Sequence, residues 1–136
     1  MLGIYIGRDK QAAEELNFKT KINKIKQLLS IWKQRNLSLT GKVLIIKALA
    51  ISQIIHLANL TPFPDDKISE IETILYEFIW NGQTDKVKRS LLIQSYEKGG
   101  QKMVNLKALI TCQKLKWVKL YLNNHQCLWR STFEAI

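Results

Sequence analysis

Apolar residues along this chain first alternate and then recur at helical spacing in several longer stretches separated by turn residues. Leu2, Ile4 and Ile6 alternate with Gly3, Tyr5 and Gly7, the period-two pattern of a short strand. No partner strand follows in the sequence, so the segment reads as the last strand of a missing sheet. Phe18, Ile22, Ile25, Leu29 and Trp32 then recur at spacings of four and three, which predicts a helix over about 17–35 with one apolar face. Lys19, Lys26 and Lys33 form a row beside that stripe, with Lys21 and Lys24 roughly opposite it.

Asn36 is a stop signal, and Ser38 or Thr40 can cap the helix after it through a hydroxyl that accepts a free backbone N–H. Val43, Ile46, Ala50, Ile54 and Leu57 mark one face of this second helix, while Leu44, Ile45, Leu49, Ile51 and Ile55 extend apolar character around most of its girth. Such a helix belongs at the centre of a domain. Thr61-Pro62-Phe63-Pro64 ends it. Pro64 with Asp65 and Asp66 suits the start of a third helix, buried through Ile68, Ile71, Leu75, Phe78 and Ile79 and closed by Asn81-Gly82. A basic connector at 86–89 and an apolar patch at 91–93 precede the turn forced by Gly99-Gly100. Asn105 can cap a last helix reaching about residue 122, with Leu106, Leu109, Ile110, Trp117 and Leu120 inward and Lys107, Lys114 and Lys116 outward. The tail shows little periodicity.

Charge changes this picture more than size does. The 136 residues suffice for one domain with a core, and the net charge of +10 is unevenly placed. Residues 8–47 carry ten basic and three acidic side chains, 65–77 one and five, and 81–120 nine and two. Two basic lobes separated by an acidic segment suit a surface that faces a polyanion, because Lys and Arg displace counterions condensed on phosphates. The alternative is a soluble protein with solvated charged faces. Cys112 and Cys127 are too few to staple a secreted scaffold, which favours a reducing compartment. Residues 43–60 are broken by Lys47, Gln53, His56 and Asn59, so no membrane span is expected.

Catalytic chemistry finds little purchase. Phe63-Pro64-Asp65-Asp66 imitates the paired aspartates that hold two Mg²⁺ ions in a polymerase hairpin, but prolines flank the aromatic, no hairpin strand follows, and a helix start accounts for every residue. Cys112, His125 and Cys127 match no common zinc spacing, His56 sits in an apolar helix, and Gly3 and Gly7 do not form a phosphate loop. No nucleophile with a neighbouring base can be assembled.

The order LGIYIG, then WKQRNLSLTGKVLIIK at 32–47, Pro62, FIWNG at 78–82, and KGG at 98–100 followed by Asn105 and Trp117 resembles the polymerase polyprotein of non-LTR (LINE-type) retrotransposons. The likeness runs from residue 2 to about 122 and falls on the segment after the catalytic palm of the reverse transcriptase. It departs from the family at Met1, where an aromatic usually precedes Leu-Gly and which points to a start inside a longer frame, and at Gln101, where an apolar residue is common. The resemblance implies a mainly α fold, a thumb-like bundle of four to five helices with one short N-terminal strand left from the palm sheet. Residues 1–16 would be the end of the palm and a linker, 17–62 the thumb, 63–122 the helical region after it, and 123–136 a tail.

It implies a fragment of an RNA-directed DNA polymerase that holds the backbone of an RNA and DNA template-primer duplex without a catalytic site of its own. Lys19, Lys26, Lys33, Arg35, Lys42, Lys88 and Arg89 are the expected phosphate contacts. Gly3, Trp32, Gly41, Trp80, Gly99, Gly100 and Trp117 are the expected structural residues, with Gly41 allowing close approach at the second helix start. No cofactor is expected, Mg²⁺ belonging to the missing palm, and the other partners would be the palm and fingers of the same polypeptide, inside the cell in nucleus and cytoplasm. The alternative is a decayed helical remnant or an interaction module with no nucleic-acid function.

Overall fold

Asp9 starts the first helix before the apolar stripe does. Its carboxylate accepts from the backbone N–H groups of Gln11 (3.1 Å) and Ala12 (3.2 Å), satisfying donors that have no partner within the helix. In the computed structural model, which describes residues 4–123 and 128–135, α1 therefore spans Lys10–Lys33 and makes the segment before residue 17 largely helical. Phe18, Ile22, Ile25 and Leu29 are buried along it, and Phe18 meets Phe63 edge-on at 4.9 Å between ring centroids, a favourable ring geometry.

Ser38, of the two hydroxyls available, caps the next helix by accepting from Gly41 N–H at 3.1 Å. A β-carbon on Gly41 would come within 3.3 Å of that Ser38 oxygen, so its small size serves the cap itself. α2 spans Leu39–Leu60 and contains one π-helical turn at Ile46–Ala50. A π turn takes an extra residue, which re-phases the apolar stripe: Val43, Ile46 and Ala50 are buried up to it and Ile51, Ile54, Leu57 and Ala58 beyond it. By length and composition α2 is apolar enough to cross a membrane, although 39% of its apolar window lies inside the fold. It packs on α1 and on the later helices at Asp65–Trp80 and Leu106–Leu122, the central place its wide apolar girth predicts.

α3 spans Asp65–Trp80, with Asp65 and Asp66 in its first turn, as their charge favours. It ends where Asn81 turns to φ 54° and Gly82 to φ 76°, with Gly82 N–H on Glu77 O at 2.9 Å, a left-handed close. The patch at 91–93 forms a single-turn helix, α4 (Arg89–Ile93). A 3₁₀ turn at Tyr96–Lys98 leads into Gly99 at φ 78°, and the chain doubles back so that Gln101 and Met103 N–H groups bond Leu92 O at 3.0 and 2.9 Å. Gly100 has no alternative there, since a β-carbon would lie 2.1 Å from Gln94 O. Asn105 accepts from Ala108 N–H at 3.2 Å and opens α5 (Leu106–Leu122), and α6 (Leu128–Glu134) follows.

The fold is mainly helical, with six helices among the described residues, α4 and α6 being the two that periodicity did not announce. Each is too short to carry a repeating stripe. The expected N-terminal strand does not form among the described residues: 4–7 carry no regular structure, and no strand is found among the described residues for them to pair with. Leu2 and Gly3 lie outside the described residues.

Candidate nucleic-acid interface

α1 carries the most continuous basic surface. Lys19, Lys26 and Lys33 are all exposed, and their seven-residue spacing places them on one flank of the helix over about 21 Å. Lys24 is exposed on the other flank and Lys21 half-buried. Among the described residues the ion pairs are Lys67–Glu70, Arg89–Asp85, Lys107–Asp65 and Arg130–Glu134, so the α1 lysines are not neutralised by carboxylates. A row of uncompensated cations on a rigid element is what backbone phosphates require.

Arg35 lies just beyond α1, its guanidinium 4.7 Å over the ring of Trp32. Trp32 is half-buried against the core, so one indole anchors the helix end and holds the arginine in place by a cation–π contact.

Lys42 has a different task. Its ammonium donates to Ile79 O at 2.9 Å and to Asn81 Oδ1 at 3.0 Å and lies 5.9 Å from the Phe78 ring centroid. It closes the C-terminal end of α3, where exposed carbonyls favour a cation, and ties α2 to α3. Its pKa falls below the ordinary lysine value, mainly through partial burial and then through the charges of Lys86 and Lys33. Lys42 and Lys86 line one cavity, which no spacing in the sequence announces.

Arg89 is also engaged. Its guanidinium sits 4.2 Å over Tyr76 and its Nε bonds Asp85 at 2.8 Å. Burial pushes the Tyr76 hydroxyl above its usual pKa, with Arg89 working against that shift. Lys88 is exposed at the start of α4, and its carbonyl accepts from Leu91 N–H at 3.0 Å. Lys86, not singled out above, is the connector residue that lines a cavity with Lys42 of α2. Only its position within 86–89 could have marked it, and an irregular connector has no period from which to read a face.

The structural residues divide similarly. Trp80 packs half-buried on the core, with its indole N–H enclosed and lacking an acceptor. Gly99 and Gly100 make the tight return. Trp117 is 44% exposed, in company with Leu115, Val118 and Leu122 on the outer half of α5, whereas Leu106 and Ile110 on its inner half are buried.

Asp65, at the helix start, faces Lys107 at 3.5 Å with both side chains largely exposed. His56 and Cys112 are exposed, and His125 and Cys127 lie outside the described residues. No model of a known protein family matches the chain.

Proposed function

We propose that this chain is a nucleic-acid-holding helical segment of a retrotransposon-type reverse transcriptase, thumb-like in role, that grips a template-primer duplex without reading its bases and without chemistry of its own. The observation that carries the proposal is the exposed, unneutralised lysine row on α1, continued by Arg35 on Trp32. The ordered motifs at 32–47, 78–82 and 98–100 supply the family. In this reading Lys19, Lys26, Lys33, Arg35 and Lys88 contact phosphates, while Lys42 and Arg89 hold the scaffold that presents them. The carboxylates that bind Mg²⁺, and the palm and fingers, belong to other parts of the polypeptide, and the setting is nuclear and cytoplasmic.

Binding to an RNA–DNA hybrid tests it. Phosphate contacts release counterions, so log affinity falls with log salt at a slope of about −3 to −5 for about four to six phosphates neutralised. Replacing Lys26 and Lys33 by Glu weakens binding alike for all sequences. A salt-insensitive affinity, or none, overturns the proposal.

A second reading, a helical interaction module or remnant, draws on an apolar groove of about 360 Å³ lined by Ile4, Tyr5, Ile6, Ala13 and Leu60 among others. Ile6 is 95% and Leu60 60% exposed beside it. Self-association of the chain at neutral pH together with no affinity for duplex would favour that reading.

A further inference from the structure

Between the first turn of α2 and the end of α3 lies a cavity of about 180 Å³ whose lining includes Lys42, Lys86, Asn81, Gln83 and Trp80. Among the described residues no carboxylate lines it. Lys33, Lys42 and Lys86 form no ion pair among the described residues, and Asp85, the acidic residue next to Lys86, is held by Arg89 at 2.8 Å. Three carbonyls at the end of α3 already accept hydrogen bonds: Glu77 O from Gly82 N–H at 2.9 Å, Trp80 O from Gln83 N–H at 3.0 Å, and Ile79 O from the Lys42 ammonium at 2.9 Å. The lining also includes Leu39, the first residue of α2, whose N-terminal turn carries partial positive charge although its Gly41 N–H is taken by Ser38. Trp80 is a lining residue with its indole N–H enclosed, so the indole serves as a reporter beside the site and not as a ligand group.

We propose that this cavity is a phosphate-binding site, in which Lys86 and the free face of the Lys42 ammonium hold the anion and the carboxamides of Asn81 and Gln83 orient it. Lys42 plays two parts, cancelling the α3 carbonyls on one side and meeting the anion on the other. The site rests on the reading above only for the source of its phosphate, a nucleic-acid backbone continuing past Lys33. A free phosphoryl compound has the same chemistry.

The test is amide and indole NMR of the full chain, titrated with inorganic pyrophosphate and separately with a short RNA–DNA hybrid. Pyrophosphate is expected to shift the Asn81 and Gln83 amides and the Trp80 indole N–H saturably. Lys86→Gln should weaken that response about tenfold, the loss of one charge-assisted hydrogen bond, and lower the hybrid's salt slope by about one. Lys26→Gln should lower the slope likewise and leave the pyrophosphate response intact.

If the hybrid binds with its expected slope but pyrophosphate gives no saturable response, or Lys86→Gln leaves that response unchanged, the cavity proposal is overturned and the α1 reading stands. If pyrophosphate saturates the site while the hybrid binds without moving its signals, the site is supported with a free phosphoryl compound as its ligand. If the hybrid does not bind at all, the α1 reading fails and the pyrophosphate titration still decides the cavity.

Discussion

The carboxamide of Asn17 pairs with both backbone groups of Tyr5, accepting from its N–H at 2.6 Å and donating to its carbonyl at 3.0 Å. Asn17 is the one buried polar side chain among the described residues, at 2% exposure, and it gives Tyr5 the two backbone hydrogen bonds that a neighbouring strand would otherwise supply. The alternation at residues 2–6 is thus satisfied from a helix. Asn17→Ala leaves the Tyr5 groups unpaired and should cost about 1–3 kcal/mol. Urea unfolding with hydrogen exchange at the Tyr5 amide measures it, and unchanged protection of that amide would refute the pairing.

Two glycines in turns should answer differently to the same substitution. Gly100→Ala drives a β-carbon to 2.1 Å from Gln94 O and 2.7 Å from Leu91 O, backbone atoms that cannot move without breaking the return to Leu92. Gly82 has open space but φ 76°, so Gly82→Ala carries only the left-handed penalty of about 1–2 kcal/mol. A melting temperature lowered more by Gly100→Ala than by Gly82→Ala is the expected result, and equal effects would contradict the close approach.

On α2, two apolar neighbours separate burial from mere hydrophobicity. Ile46 is fully buried and Leu44 is 55% exposed. Ile46→Ala should cost about 2–5 kcal/mol through lost contacts and a residual cavity, whereas Leu44→Lys should stay within about 0.5 kcal/mol. Chemical denaturation of both variants decides it. A large loss from Leu44→Lys would mean that the outer face of α2 is covered.

The lysine cluster makes an electrostatic prediction with a definite sign. Lys42 has its folded pKa lowered, first by burial and then by Lys86 and Lys33, so on the alkaline side, just below the ordinary lysine value, the unfolded chain binds more protons than the folded one. Stability attributable to this group therefore rises with pH in that window, the reverse of a salt-bridged lysine. Its side chain is mostly solvated, so the contribution is small. Lys86→Gln should move the Lys42 titration upward, as followed by NMR at its ε-carbon, and an unmoved titration would show that the two charges do not meet.

Much of the fold was legible because helix signals act within four residues. Ser38 and Asn105 were readable as caps, Pro64 with two aspartates as a start, and Asn81-Gly82 as a stop, since each acts on backbone groups of its own turn. The first helix was placed too late because its apolar stripe begins at Phe18, whereas Asp9 caps it well before any residue needs burying. The candidate interface was legible only as a row: periodicity put Lys19, Lys26 and Lys33 on one flank of α1, but it could not distinguish Lys42 from them.

The sequence by itself determined that the long helices exist, most of the faces they bury, though not the inward Trp117 expected on α5, which is 44% exposed, and that two basic lobes flank an acidic helix, since propensity, period and charge are properties of neighbouring residues. Tertiary structure alone decided which cations are available. Lys42 reaches across to Ile79 and Asn81, Arg89 is held between Tyr76 and Asp85, and Lys86 comes to line one cavity with Lys42. Most of these pairings join residues far apart in the chain, and they exist only once α2 and α3 have packed their apolar faces together.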